Sequence, residues 1–160
     1  LHSFPTRRSS DLTLWQDKKA CEKLVKKYEI QDKVIFSGKL TYQEVNTHYD
    51  DADVFIFTSL RDTSGNVVLE AMSHGLPVIT LNHHGAGEIV TNETGTLIEV
   101  SRYDQIQKDI ISAITSYYRD REKIVLQGKA ARSRIEKVYS WQHNLEIMTQ
   151  VYEKVLGAKE

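Results

Sequence analysis

The chain has 160 residues, 40% hydrophobic and 27% charged, with a formal net charge of −1. That is enough apolar material for one globular core, and the near-neutral balance lacks the basic footprint of a nucleic-acid binder. The single cysteine, Cys21, excludes an intrachain disulfide and a cysteine-ligated metal cluster, and no apolar run approaches the ~20 residues of a membrane-spanning helix.

Residues 1–12 stand apart. His2 to Leu12 resemble the in-frame translation of a short-read sequencing adapter, the other readings being a disordered basic tail or a transit-like segment. They lack the apolar centre of a secretory signal. On the adapter reading, residues 13–160 are a partial domain of a longer natural chain. Asp17 to Tyr28 then read as an amphipathic helix, with Ala20, Leu24 and Tyr28 on one face and Lys18, Lys19, Lys26 and Lys27 turned to solvent. Lys33 to Phe36 read as a short buried strand. Thr41-Tyr42-Gln43-Glu44 is a capping box, which starts a helix running to about Asp51.

Asp53 to Thr58 are β-branched and aromatic, as a buried strand should be. Ser64, Gly65 and Asn66 offer a tight turn and a cap for a helix over Val67–Ser73. Gly75 can end that helix and Pro77 cannot continue it. Val78 to Leu81 open the next strand. The paired His83 and His84, with Glu88 nearby, have the residue types of a metal site. Neighbours on an extended segment point to opposite sides, however, and no ligand spacing supports them.

Three helical stretches close the chain. Asp104–Tyr118 carries Ile106, Ile110, Ile111 and Ile114. Arg121–Val138 carries Ile124, Val125, Ala130, Ile135 and Val138, with Gly128 as a weak point. Ser140 caps a last helix bearing Trp141, Leu145, Met148, Val151, Tyr152 and Val155. All three apolar stripes are expected to be core.

Strands alternating with helices predict an α/β fold: a Rossmann-like parallel sheet with helices on both faces, ending in C-terminal helices. Ligands of such sheets sit beyond the carboxyl ends of the strands. Three loops are expected there: Ser37–Leu40, Asp62 with Ser64–Asn66, and His84 with Gly85. A strand emptying through a glycine loop onto a helix start presents free N–H groups suited to a phosphate. An ordinary ligand-free connection is the alternative.

The stretch from Ser59 to Ile79 resembles the donor-site signature of the group 1 (family 4) retaining glycosyltransferases of GT-B fold. Glu70-Ala71-Met72 and Gly75-Leu76-Pro77-Val78-Ile79 match that pattern. Asp62 stands for the pattern's first acid, which is Glu, with its spacing to Glu70 kept, and Thr63-Ser64-Gly65 stands for Gly-Phe-Gly. Gly85 and Glu88 fit a Gly-Gly-x-x-Glu loop in which His84 replaces the first glycine. Thr94 to Ile98 resemble the Gly-Leu-Leu strand, with Gly95 most simply a turn residue.

The resemblance implies the C-terminal, donor-binding part of an enzyme that transfers a sugar from a nucleotide-sugar to an unknown glycan or lipid-linked acceptor. Asp62, the catalytic candidate, would contact the donor sugar. Amides at Gly65, Asn66 and Val67 would hold the diphosphate, Ser64 would bind the donor beside them, and Glu70 would bind the ribose. Gly38, Lys39 and Leu40 would lie near the base, and His84 and Gly85 would face the donor. Read alone, Lys39 is a surface lysine and His84 a loop histidine. No cofactor or metal is implied. A cytoplasmic place, with peripheral contact to the inner membrane face, is expected, and the fragment alone is expected to be inactive. A non-catalytic nucleotide-binding or interaction half-domain, or an epimerase or phosphorylase of the same fold, are the alternatives.

Overall fold

The computed structural model describes residues 13–157, so the segment 1–12 lies outside the described residues. In chain order the elements are α1 (Thr13–Lys27), α2 (Tyr42–Asp50), β1 (Phe55–Phe57), α3 (Asn66–Ser73), β2 (Val78–Leu81), α4 (His84–Ile89), β3 (Gly95–Ile98), α5 (Tyr103–Arg119), α6 (Arg121–Val138) and α7 (Trp141–Gly157).

The three strands form one parallel sheet in the order β1-β2-β3. Alternation along the strands divides the core in two. Phe55, Phe57 and Val78 face one way, against Tyr49 of α2, Val68, Ala71 and Met72 of α3, Ala86 and Ile89 of α4, and Ala131 of α6. Ile79, Leu81 and Ile98 face the other way, against Ala113 and Tyr117 of α5, with Ile106, Ile110 and Ile114 beside them. All four residues of the central strand β2 are buried, which is why it reads as a continuous apolar run. Helices therefore cover both faces, as the βα alternation predicts.

The local signals landed where the chemistry is local. Thr41 N–H donates to Glu44 Oε2 at 2.7 Å and Glu44 N–H to Thr41 Oγ1 at 3.3 Å, a complete capping box. The Thr41 amide bond holds the Glu44 carboxyl below its usual range. Gly75 takes φ +77° at the α3–β2 turn. Ser140 Oγ accepts from the His143 amide at 3.2 Å and starts α7.

Several expectations are corrected. Lys33–Phe36 is no strand: a 3₁₀ turn spans Gln31–Lys33, and Ile35 and Phe36 are exposed. Val34 is extended, but extended backbone becomes a strand only with a ladder partner, and none pairs with it among the described residues. The apolar side of α7 is not core: Trp141 is 90% exposed, and Leu145, Met148, Val151, Tyr152 and Val155 are exposed too. Leu24 of α1, Tyr28 just beyond its end, Ile111 of α5, and Val125 and Val138 of α6 also lie outside the core.

Gly128 is no weak point. A Cβ there would run into the carbonyl oxygen of Gly75, so its hydrogen lets α6 close on the turn after α3. Gly95 is no turn residue either. It opens β3, and a Cβ would strike the Val78 carbonyl of the neighbouring strand.

Candidate functional site

The carboxyl end of β1 leads into a loop with its own hydrogen-bond scheme. Ser59 Oγ accepts from the Arg61 and Asp62 amides at 3.3 and 3.2 Å. Asp62 Oδ1 accepts from the Ser64 amide at 3.0 Å, the Ser64 hydroxyl at 3.3 Å and the Gly65 amide at 2.8 Å. Gly65 is buried with φ +63°, and its carbonyl accepts from Val68 and Leu69 to start α3. The next two amides, of Asn66 and Val67, are the first of α3 and find no acceptor among the described residues.

Glu70 follows one turn into α3 and is exposed. Its carboxylate makes no hydrogen bond among the described residues, while its charge is felt by the buried Tyr49 beneath. Burial chiefly, with Glu70 second, pushes the Tyr49 phenol well above its ordinary value.

The carboxyl end of β2 carries the second loop. Asn82 N–H bonds Ile98 O at 2.7 Å and His83 N–H bonds Leu81 O at 2.8 Å. His84 then takes φ +48°, and the His83 and His84 ring centroids lie 3.7 Å apart. Opposite-facing rings are thus corrected: a left-handed residue breaks the alternation of an extended segment. The glycine that the resemblance puts at position 84 fits that same backbone region. No group of three or more metal-ligating side chains occurs among the described residues.

The two loops touch. A Cβ on Gly85 would approach Thr63 O to 2.7 Å, and one on Gly65 would approach Ile89 Cδ1 to 2.8 Å and Ala86 N to 3.2 Å. Asp62, Ser64, Gly65, Asn66, Val67, His84 and Gly85 therefore share one rim above the sheet, with Glu70 behind it. The loop of Gly38, Lys39 and Leu40 is different. It leads into α2, and no hydrogen bond ties it to the rim among the described residues. Ser59 was missed as a site residue. Its signal was a hydroxyl two and three residues before polar loop amides.

A cavity of about 260 Å³ lies at the opposite end of β1, walled by Val54, Ile114, Tyr117 and Ile124. The Asp53–Arg121 ion pair, 3.3 Å, stands beside it. It is away from the rim and holds none of the candidate site residues.

A parallel sheet covered on both faces, with two loops meeting at the carboxyl ends of adjacent strands, defines an open α/β domain of the kind whose ligands sit beyond the strand ends. The chain belongs to the glycosyl transferases group 1 family, which it matches over residues 14–133. It is 36% identical over 111 residues to sulfoquinovosyl transferase SQD2 of Arabidopsis thaliana, covering 67% of this chain and 21% of that protein. It is 34% identical over 113 residues to the capsular polysaccharide biosynthesis glycosyltransferase CapM of Staphylococcus aureus, covering 70% and 29%.

Among solved structures, sucrose-phosphate synthase from Thermosynechococcus elongatus superposes with a TM-score of 0.72 at 26% identity, over 98% of this chain and 37% of that one. Anabaena HepE, solved with UDP, gives 0.71 at 19%, over 92% and 38%. The fold is that of the GT-B glycosyltransferases. The chain spans about a sixth to a third of the curated relatives it matches.

Proposed function

We propose that the chain is the donor-binding part of a retaining glycosyltransferase that takes its sugar from a nucleoside diphosphate. The observation that carries this reading is the pair of unclaimed amides of Asn66 and Val67 at the start of α3, with the unbonded Glu70 carboxylate one turn on. Two N–H groups at the positive end of a helix favour a phosphate. An ionised carboxylate makes the stronger class of hydrogen bond to ribose hydroxyls. Asp62 Oδ2 accepts no hydrogen bond among the described residues and is left for a hydroxyl of the donor sugar.

His84 and Gly85 border the donor from the second loop, and Gly38, Lys39 and Leu40 flank the base. Relatives solved with UDP support a diphosphate donor. The acceptor is a glycan or a lipid-linked glycan, the reaction is cytoplasmic, and the enzyme touches the inner membrane face peripherally. Transfer requires the whole protein, and the 160-residue chain binds the donor without turnover.

The test is a calorimetric titration of UDP and 2′,3′-dideoxy-UDP into the chain and its Glu70→Gln variant. Wild type should prefer UDP, and Glu70→Gln should weaken UDP about tenfold and remove the preference. Failure of UDP, GDP and ADP all to bind would overturn the donor reading. Sugar transfer by the chain alone would overturn the requirement for the whole protein.

A further inference from the structure

We infer that Asp62 is a positioning residue whose Oδ1 fixes the loop so that the Asn66 and Val67 amides at the start of α3 stand open for a diphosphate. The inference rests on the donor reading and goes beyond it. It gives the acid at position 62 a task performed before any sugar arrives.

Three donors converge on one oxygen. The Ser64 amide, the Ser64 hydroxyl and the Gly65 amide all bond Asp62 Oδ1, at 3.0, 3.3 and 2.8 Å. Ser59 Oγ holds the preceding amides of Arg61 and Asp62. Four of the five amides from 61 to 65, all but that of Thr63, are thereby tied to side chains. The first two amides beyond them are free. Gly65 is locked as well, because it is left-handed and lies against Ile89. Of the residues expected to bind the donor here, Ser64 and Gly65 therefore supply shape, and Asn66 and Val67 supply protons.

The residue type matters here. An aspartate oxygen reaches the amides two and three residues ahead and mimics a backbone turn. Glutamate adds a methylene and a rotatable bond and does not close that ring. The shorter acid at this position is thus suited to the loop, whereas a role limited to charge or to a sugar hydroxyl would be served as well by glutamate.

Asp62→Asn keeps the accepting oxygen and loses the charge. Asp62→Glu keeps the charge and loses the turn, and Asp62→Ala loses both. Two readouts apply to the full chain: amide hydrogen exchange at Ser64 and Gly65 without ligand, and the Kd for UDP, which carries no sugar for Oδ2 to contact. Asp62→Asn should keep the slow exchange and bind UDP within about threefold of wild type. Asp62→Glu and Asp62→Ala should speed exchange at both amides and weaken UDP by about tenfold or more, with the thermal midpoint showing each variant folded. Wild-type behaviour of Asp62→Glu, or loss of UDP binding in Asp62→Asn alone, overturns the inference. If wild type itself fails to bind UDP, the donor reading falls, and the exchange pattern still decides whether Asp62 shapes the loop.

Discussion

Tyr117 of α5 donates its phenolic proton to Gln127 Oε1 of α6 at 2.6 Å, across a buried interface. The amide end of Gln127 continues to the carbonyls of Asn92 and Gly95, at 2.8 and 3.0 Å. Thr96 Oγ1 lies 3.2 Å from the same phenol. One polar pair thus ties two helices to the segment that opens β3.

Removing either partner strands the other. Tyr117→Phe should cost about 1–2 kcal/mol, since one buried acceptor loses its donor. Gln127→Leu leaves two carbonyls and a phenol without a partner and should cost about 2–3 kcal/mol. Urea unfolding of both variants measures the difference. The double variant should lose less than the sum, because the two side chains share one bond.

The same phenol and Tyr49 make stability fall in alkali. Burial chiefly pushes both above the ordinary value of 10.0; the Thr96 bond works the other way at Tyr117, and Glu70 adds to the rise at Tyr49. The folded chain holds those protons after the unfolded chain has released them. Stability is therefore fully present below pH 10 and is lost as pH climbs through the folded values. Tyr49→Phe should flatten that slope. Unfolding free energies measured on either side of pH 10 for both proteins decide it.

How much of this was legible depended on the distance over which each signal acts. The Thr41 box, the Gly75 turn and the bounds Arg121–Val138 come from contacts within four residues, and the chain carries them openly. Lys33–Phe36 had the composition of a strand, but pairing is a tertiary event and composition does not supply a partner. Gly128 and Gly95 read as a helix flaw and a turn because propensity is local. Their use, a carbonyl of another element where a Cβ would sit, is not. At the rim, the resemblance pointed to two loops that do meet. Which of the amides 64 to 67 are already bonded was not legible, because it depends on where one Asp62 oxygen points. The close approach of the His83 and His84 rings escaped for the same reason, since only the backbone angle at His84 brings them together.

Three glycines should respond to alanine in different ways. Gly38 has φ +68° with open space around its missing Cβ, so Gly38→Ala should cost about 1–2 kcal/mol, the strain of a left-handed L-residue alone. Gly65→Ala adds a collision with Ile89 and the Ala86 amide to the same strain, and should cost more while also disturbing the rim. Gly128→Ala improves helix propensity by about 1 kcal/mol, yet it should destabilise, because the added carbon meets the backbone oxygen of Gly75. Thermal unfolding ranks the three. A stabilised Gly128→Ala would show that the α6 contact is loose.

The exposed face of α7 and the buried face of α3 give the last contrast. Leu145 and Val151 are exposed at 61% and 51%, whereas Met72 is fully buried between the sheet and its helices. An apolar stripe at helical spacing describes both helices equally, so the sequence pattern predicts equal penalties for polar or truncating changes. Burial predicts otherwise. Met72→Ala leaves a cavity under β1 and β2 and should cost about 2–5 kcal/mol. Leu145→Gln and Val151→Thr remove nothing from a packed interior and should stay within about 0.5 kcal/mol of wild type. Chemical denaturation of the chain at low concentration reads these values without contribution from self-association. A loss above about 2 kcal/mol at Leu145 would mean that α7 is packed in solution against a surface the fold described here leaves open.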